Sequence, residues 1–480
     1  MTRETLVPAA STTPSAEPTG FGILTRGLST DQTLRGLLCV GLFVCGALLV
    51  MQDDSWWHLR CGQLITQLGT VPQHDSFSFS LPEGTYWPNH EWLAQVLMYR
   101  AYTLGGLPLV SLAAGVVVAL VGLALCGALA GGMERRFVLL LLVLPWIVAS
   151  LSARPQIFTL LGMAVTLWLL ARERYWALPV VFLGWANLHG AVSLGGLLLV
   201  GCCAAALLFD RSRLTRLVVV TGLCGGATLV TPMGIKLLLF PLESVARLKQ
   251  LDLEEWTAPG FTQWMHLYFW GLLAAVAVTL LLARRPLNDW PSRMFLLPCV
   301  LFAVLAALSQ RNIPLFLMVA AAAVSRALPA GREKDTAHDF QKKNLGALAA
   351  FGVLATLSIG LAYRLPWDRL EWEPLSAEAL AAVRNCPQPM FNTYNTGGYL
   401  LWFAPERKVF LDSRQDPYPI ELLLQTQRAQ QLGDYEELFA RFGFRSAVME
   451  PTWPLGRKLI ESGWKITHRD DRWLVLVREG

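Results

Sequence analysis

Residues 135–172 read RRFVLLLLVLPWIVASLSARPQIFTLLGMAVTLWLLAR, and the topology of the chain turns on how that stretch is divided. As one helix it would carry Arg135 and Arg136 to one side of a bilayer and Arg172 to the other. A spanning helix needs only about 20 apolar residues, and this run is far longer, with Ser152-Ala-Arg154-Pro-Gln156 in its middle. Pro155 lacks an amide hydrogen and clashes with the preceding turn. The reading is therefore a hairpin of two short helices, 137–152 and 156–171, with Arg154 at its tip.

The next stretch repeats the device. Residues 177–209 are interrupted by Trp185-Ala-Asn187-Leu-His189-Gly190. Divided there into 177–188 and 190–209, they keep Arg135-Arg136, Arg172-Arg174 and Arg211–Arg216 on one side. Cytoplasmic loops collect Lys and Arg. Arg26, Arg35, Arg284, Arg285, Arg293, Arg326, Arg332, Lys334, Lys342 and Lys343 join the same side, while the other carries a handful, including Arg60, Arg154, Arg247 and Arg311. The amino terminus is read as inside.

Composition agrees with a membrane protein. The 480 residues are 54% hydrophobic and 16% charged, with a mean hydropathy of +0.43, a balance that polytopic membrane proteins need and soluble domains seldom carry. The remaining candidate spans are 34–51, 107–130, 217–231, 267–283, 293–309, 314–328 and 345–363. Segment 91–104 is amphipathic and suits the interface. About eleven spans put the carboxyl terminus outside. The expected fold class is mainly α: a polytopic transmembrane helix bundle with a C-terminal extracytoplasmic α/β domain.

Three regions follow. Residues 1–30, rich in Ser, Thr, Pro and Ala, read as a disordered cytoplasmic tail. Residues 31–363 form the transmembrane domain, with a first outer loop over 52–106. Residues 364–480 form the outer domain, with strand-like 408–411, helical 420–442, strand-like 445–450, helical 454–462 and a closing hairpin near Asp470-Asp471. The stretch 331–343 reads as a charged cytoplasmic loop.

Some chemistries find no support. Nine cysteines show no metal or disulfide spacing, and only Cys61 and Cys386 fall outside apolar helices. No glycine-rich phosphate loop appears, which argues against a nucleotide-binding cytoplasmic domain. A net charge of +5 is small for this length and gives no reason to expect nucleic acid as a partner.

The unusual polar residues collect on the outer face. Asp53, Asp54, His58, Asp75, His90, Glu91, Arg154, Gln156, Asn187, His189, Arg311 and Asn312 all face out or sit at outer helix ends. Each alone has an ordinary reading: a helix cap for Asp53, lipid-headgroup snorkelling for the arginines, a hydrogen-bonded helix end for His189. Convergence from distant parts of the chain is what a site between bundle helices requires. Asp54 is the first choice for a proton-accepting carboxylate, with Glu91 and Asp75 as candidates for the second. Arg154 and Arg311 suit a phosphate, and His189 can neutralise or protonate one as it leaves. His58 and His90 accompany the acids. Trp57 offers a face for stacking on a sugar, as do Trp56, Trp87 and Trp92, although interfacial belts explain many tryptophans. The acids could hold a divalent cation, Mg or Mn, but the sequence assigns no metal ligands.

The arrangement resembles the GT-C superfamily of membrane glycosyltransferases, and more closely a bacterial group with the pattern Asp-x-Asp-Leu-Trp-Trp-His, Pro-x-x-Asp-x-Phe-Ser and His-Glu-Trp-Leu. The matches are Asp54-Ser-Trp-Trp-His58, Pro72-Gln-His-Asp75-Ser-Phe-Ser78 and His90-Glu91-Trp92-Leu93, then Arg154-Pro-Gln156, Trp185-Ala-Asn-Leu-His-Gly190, Pro232-Met-Gly234, Arg311-Asn-Ile-Pro314 and Gly397-Gly-Tyr-Leu400. Gln52 stands where the group has its first acid, which favours Asp54 as the retained one. The resemblance implies a polyprenyl-phosphate-linked sugar donor in the membrane lipid, an inverting transfer to a glycan, lipid or protein acceptor, and a multi-pass protein of the bacterial inner membrane. Its amino terminus would be cytoplasmic and its C-terminal domain periplasmic. Asn392-Thr-Tyr394-Asn395-Thr-Gly397-Gly-Tyr399 echoes the acceptor region of oligosaccharyltransferase catalytic subunits, but a tight glycine turn ahead of a strand explains it more simply. The alternatives are a non-catalytic binder or transporter of polyprenyl-linked glycans, and a structural subunit of an envelope assembly.

Overall fold

A computed structural model describes residues 27–240, 249–251, 254–283, 289–329, 341–364 and 370–479. Residues 1–26 of the expected tail, most of the charged loop 331–343, and Arg247, Arg284, Arg285, Arg332 and Lys334 lie outside the described residues.

Among the described residues, twelve helices longer than one turn precede the C-terminal region: α1 (Thr30–Ala47), α2 (Asp53–Leu68), α3 (Trp92–Ala128), α4 (Met133–Ala149), α5 (Ile157–Ala171), α6 (Leu178–Leu188), α7 (Val192–Phe209), α8 (Leu214–Thr228), α9 (Trp264–Leu282), α10 (Leu296–Leu308), α11 (Ile313–Ala327) and α12 (Gln341–Arg364). Both hairpin turns fall where the proline and glycine signals put them: α4 turns into α5 through Leu151–Gln156, and α6 into α7 through His189–Ala191. Among the described residues, five helices are long and apolar enough to cross a bilayer unaided: α3, α7, α9, α12 and Trp290–Leu308. α5 and α6 are shorter apolar helices. Length and composition thus mark five spans among the described residues, and the hairpin helices α4, α5 and α6 are shorter than that measure requires.

α3 joins two segments that read separately in the sequence. It bends at Gly105 and Gly106, whose backbones leave helical geometry (Gly106 φ 62°), just ahead of Pro108. Its lower half packs on α1 and α5, while its start packs on α2. α11 is the central post: nearly every residue from Ile313 to Ala327 is buried. The run Ala320–Ala323 lets α10, α4 and α9 approach it closely. α12 leans on α1 and otherwise presents apolar side chains outward, as a lipid-facing helix does.

The C-terminal region adds α13 (Ala377–Asn385), β1 (Met390–Asn392), α14 (Tyr394–Phe403), α15 (Ile420–Leu432), α16 (Glu436–Phe442), β2 (Ser446–Met449), α17 (Pro454–Glu461), β3 (Lys465–Arg469) and β4 (Leu474–Val477). The sheet order is β1-β2-β4-β3, with β1 parallel to β2 and the other pairs antiparallel.

Three local expectations are corrected. Residues 420–442 are two helices, because Gly433 adopts a left-handed φ of 68° and ends α15. Residues 408–411 form no sheet strand; Val409 instead pairs with the first outer loop, exchanging backbone hydrogen bonds with Phe77 and Phe79. The stretch from Tyr394 is a helix and not a glycine turn.

Those glycines have a packing reason. A Cβ on Gly397 would fall 2.0 Å from the Leu411 carbonyl oxygen, and one on Gly398 would fall 2.4 Å from that of Asp53. Only a glycine pair lets α14 lie between the start of α2 and the segment leading to Ser413.

Candidate active site

Asp54 stands at the junction between the helix bundle and the C-terminal region. Gln52 is the N-cap of α2, its amide donating to Ser55 Oγ at 3.0 Å. Asp53 and Asp54 therefore occupy the first turn instead of capping it, where carboxylates favour the helix dipole. Asp54 Oδ2 receives Arg154 Nη1 at 2.5 Å from the α4–α5 turn. Its Oδ1 receives Trp57 Nε1 at 2.9 Å and the Ser413 hydroxyl at 2.5 Å. Tyr394 at the start of α14 donates to the Ser413 carbonyl at 2.9 Å.

The adjacent carboxyls differ in acidity. Burial works to raise Asp54, but the Arg154 guanidinium, then His58 and Ser413, outweigh it and hold Asp54 below the usual carboxylate range. Asp53 has withdrawal from water and the Asp54 charge pushing the same way, and rises to about 7.

Glu91 has a different cage. His189 Nε2, His58 Nε2 and His90 Nε2 stand 3.2, 3.5 and 3.8 Å from its carboxylate oxygens. Hydrogen bonds behind the rings set their tautomers. His189 Nδ1 accepts the Ala191 amide at 3.2 Å and lies 2.8 Å from Thr159 Oγ1, so its proton sits on Nε2, facing Glu91. His90 Nδ1 donates to the Pro88 carbonyl at 3.1 Å, so its Nε2 is bare. Burial, then the Asp54 charge, lifts Glu91 to about 8, and burial lowers His58 to about 3. At neutral pH the cage is a protonated acid among neutral imidazoles. Gly190 is part of it: a Cβ there would fall 2.5 Å from His90 Cδ2.

The arginines are both placed at this end. Arg154 donates to Asp54 and, through Nε, to Ser152 Oγ at 2.9 Å. Arg311 pairs with Glu255 at 2.6 Å and lies over the Trp256 ring, 4.9 Å from its centroid. The charges of Arg311 and Arg154 both act on Glu91. A narrow cavity of about 80 Å³ has Arg154 in its wall, beside Leu97, Met98, Val110, Ile157 and Phe158.

Other expected site residues have local duties. Asp75 is withdrawn from water in an ion network with Arg414 (2.6 Å), the chain neighbour of Ser413. Trp57 is buried, donates to Asp54 and holds its ring tilted by 39° against that of His58, the centroids 3.5 Å apart. Gln156 donates to the Ser150 carbonyl, Asn312 to that of Leu305, and Asn187 to those of Leu183 and Val230; all three tie turns together. Ser413, Glu255 and Thr159 went unnoticed in the sequence. For Ser413 the only signal was its place between Asp412 and Arg414, charges that are themselves buried.

Among the described residues no group of three or more His, Cys, Asp or Glu is arranged to hold a metal ion. The three imidazoles converge on the Glu91 carboxylate, and Asp54 already serves three donors. No step is assigned to a metal.

No family model matches the chain, and no curated protein matches it. The structure is similar to the apo crystal structure of the oligosaccharyltransferase of Archaeoglobus fulgidus, with a TM-score of 0.52 and 12% identity over 90% of this chain and 69% of that one. At that identity the likeness speaks of the fold alone. Within this fold, the cluster of Asp54, Glu91 and Arg154 lies where α2, α3 and the α4–α5 turn meet α14 and the segment before α15.

Proposed function

We propose that the chain is an inverting membrane glycosyltransferase, moving a sugar from a polyprenyl-phosphate donor to an acceptor hydroxyl at the extracytoplasmic surface. The observation that carries this reading is the Asp54 carboxylate, ionised beside Arg154 and already accepting a hydroxyl hydrogen bond from Ser413. An acceptor hydroxyl in the place of Ser413 would be poised to lose its proton to Asp54.

The acceptor oxygen attacks the anomeric carbon as the bond to the phosphate oxygen breaks, and that electron pair leaves on the phosphate. Arg154 and Arg311 each keep guanidinium N–H groups beyond their bonds to Asp54, Ser152 and Glu255, and can stabilise the leaving charge. An oxocarbenium-like transition state asks for little deprotonation early, so an acidic carboxylate serves as a late proton acceptor. Glu91, protonated at neutral pH, is the second carboxyl and orients the reacting groups; Asp75 is committed to Arg414. The apolar cavity beside Arg154 suits an isoprenoid chain whose phosphate meets the guanidinium. In this reading residues 31–363 hold the donor, and residues 364–480 form a periplasmic domain that presents the acceptor. The protein would sit in a bacterial inner membrane with its amino terminus in the cytoplasm.

Replacing Asp54 with Asn in purified protein, supplied with a polyprenyl-phosphate sugar, should lower transfer by about 10²- to 10⁴-fold while donor binding persists. Undiminished product formation by the variant would overturn the enzyme reading. Donor binding without turnover in the wild type would point to a carrier of polyprenyl-linked glycans.

A further inference from the structure

At the end of the bundle away from Asp54, a cavity of about 460 Å³ opens between the ends of α3, α4, α5 and α11 and the turn at Trp290–Arg293. Four arginines line it: Arg135, Arg136, Arg172 and Arg326. The one acid in its wall is Asp289, whose carboxylate caps the Ser292 amide at 3.2 Å. Among the described residues none of the four arginines meets a carboxylate. Arg135 donates to the Pro329 carbonyl, Arg136 to those of Gly131 and Cys126, and Arg326 to those of Ala322 and Ala128. The Arg172 side chain has no hydrogen bond of its own among them.

Helix-end capping accounts for part of this arrangement. Arg326 lies in the last turn of α11 and Arg172 just past α5, where cations favour the dipole. Arg136 also meets the last turn of α3 through the Cys126 carbonyl, but both it and Arg135 lie in the first turn of α4, the positive end, where cations cost stability. Four like charges around one cavity repel each other, and each guanidinium has five N–H donors, more than the carbonyls use. An anion in the cavity would relieve both conditions.

We infer that this cavity binds a phosphate-bearing anion at the depth of the lipid headgroups. The inference is independent of the sugar-transfer reading. Depth follows from α5, whose 15 residues separate Arg154 from Arg172 by about 22 Å at 1.5 Å per residue. Arg172 therefore stands near the far boundary of a hydrocarbon core about 30 Å thick. Beside the cavity, α4 turns Val138, Leu141 and Leu142 outward, 56%, 52% and 44% exposed, a surface on which acyl chains can lie. The volume exceeds that of a phosphate alone and accommodates a glycerophosphate head. Basic pockets between membrane helices recognise anionic lipids in this way. A free phosphate offers the same chemistry, and the test separates the two sources.

Full-length protein in detergent would be titrated with phosphatidylglycerol and phosphatidylcholine and read by native mass spectrometry. Thermal shift would be measured in parallel with inorganic phosphate and with ATP. Arg172→Gln is the first variant, since its side chain makes no hydrogen bond among the described residues; Arg135→Gln is the second, and Arg216→Gln the control outside the cavity. Preferential phosphatidylglycerol binding that weakens about fivefold for each cavity arginine removed, and not in the control, assigns a lipid site. Stabilisation by inorganic phosphate or ATP with the same arginine dependence, and no lipid preference, assigns a soluble phosphate ligand to the same cavity. Equal binding of the two lipids with no phosphate effect overturns the proposal, as does binding that Arg172→Gln and Arg135→Gln leave unchanged.

Discussion

Glu91 is a carboxyl whose nearest charged or chargeable neighbours are three imidazoles, and its titration reports on that cage. The folded protein holds its proton up to about pH 8, while the unfolded chain releases it near 4.5. The folded state thus binds more protons in that window, and stability falls as pH rises through it. Asp53 acts with the same sign between 3.8 and about 7. His58 acts oppositely: its folded value of about 3 lies below the ordinary 6.5, so its contribution is lost as pH falls through that range. Above pH 7 Asp53 completes its titration and Glu91 carries most of what remains. Thermal midpoints of the wild type should therefore decline between pH 7 and 8.5, and Glu91→Gln should flatten the decline. Parallel slopes for the two proteins would count against the caged acid. The residue types of this site were readable from the sequence; the ring orientations were not, since they depend on Thr159, Ala191 and Pro88 behind the rings.

Helix ends and glycines carry the positioning at the next scale up. The start of α14 holds Tyr394, which grips Ser413, and Gly398, which lies on the Asp53 carbonyl. A methyl at Gly398 must push α14 away from α2, and overpacking of this kind costs about 1–3 kcal/mol. Gly398→Ala should lower the unfolding midpoint and, by moving Ser413 from Asp54, reduce transfer more than its stability loss explains. Gly190→Ala tests the same principle at the α6–α7 turn, where the new methyl meets His90. Equal activity per folded molecule in Gly398→Ala and wild type would remove the positioning role. Proline and glycine signals made the two hairpins legible. α14 was hidden because Asn, Thr and Gly-Gly are poor helix formers, and tertiary contact overrides them.

Across the whole molecule, the first outer loop and the C-terminal region are locked by a buried ion network. Arg414 donates to Asp412 at 2.7 Å and to Asp75 at 2.6 Å. Tyr418 donates to Asp412 at 2.8 Å, and Ser78 lies 2.6 Å from the Tyr418 hydroxyl. The guanidinium also sits 4.9 and 4.7 Å from the ring centroids of Phe77 and Trp87. Removing Arg414 leaves two buried carboxylates, Asp75 and Asp412, without their cation, at a cost of about 3–5 kcal/mol. Asp75→Asn instead keeps the Arg414–Asp412 pair and removes only the link to the segment around Asp75. Arg414→Gln should therefore make the segments around 75–80 and 409–418 sensitive to limited proteolysis, and Asp75→Asn should do so to a smaller degree. Both variants should also lose transfer, because Ser413 is adjacent to this network. Resistance equal to the wild type would show that the lock is dispensable.

Hydropathy and the breakers at Pro155 and Gly190 determined by themselves that the chain forms apolar helices suited to a bilayer, with two short hairpins among them. Those signals suffice because a bilayer admits few ways to satisfy a backbone and place a charge. Only the tertiary structure decided which acids share a site. Asp54 lies beside Arg154 and its charge acts on Glu91, while Asp75, equally prominent in the motif, pairs with Arg414. The division follows from partners more than three hundred residues away in the chain, Ser413 for Asp54 and Arg414 for Asp75. Local sequence patterns carry no information about contacts of that range.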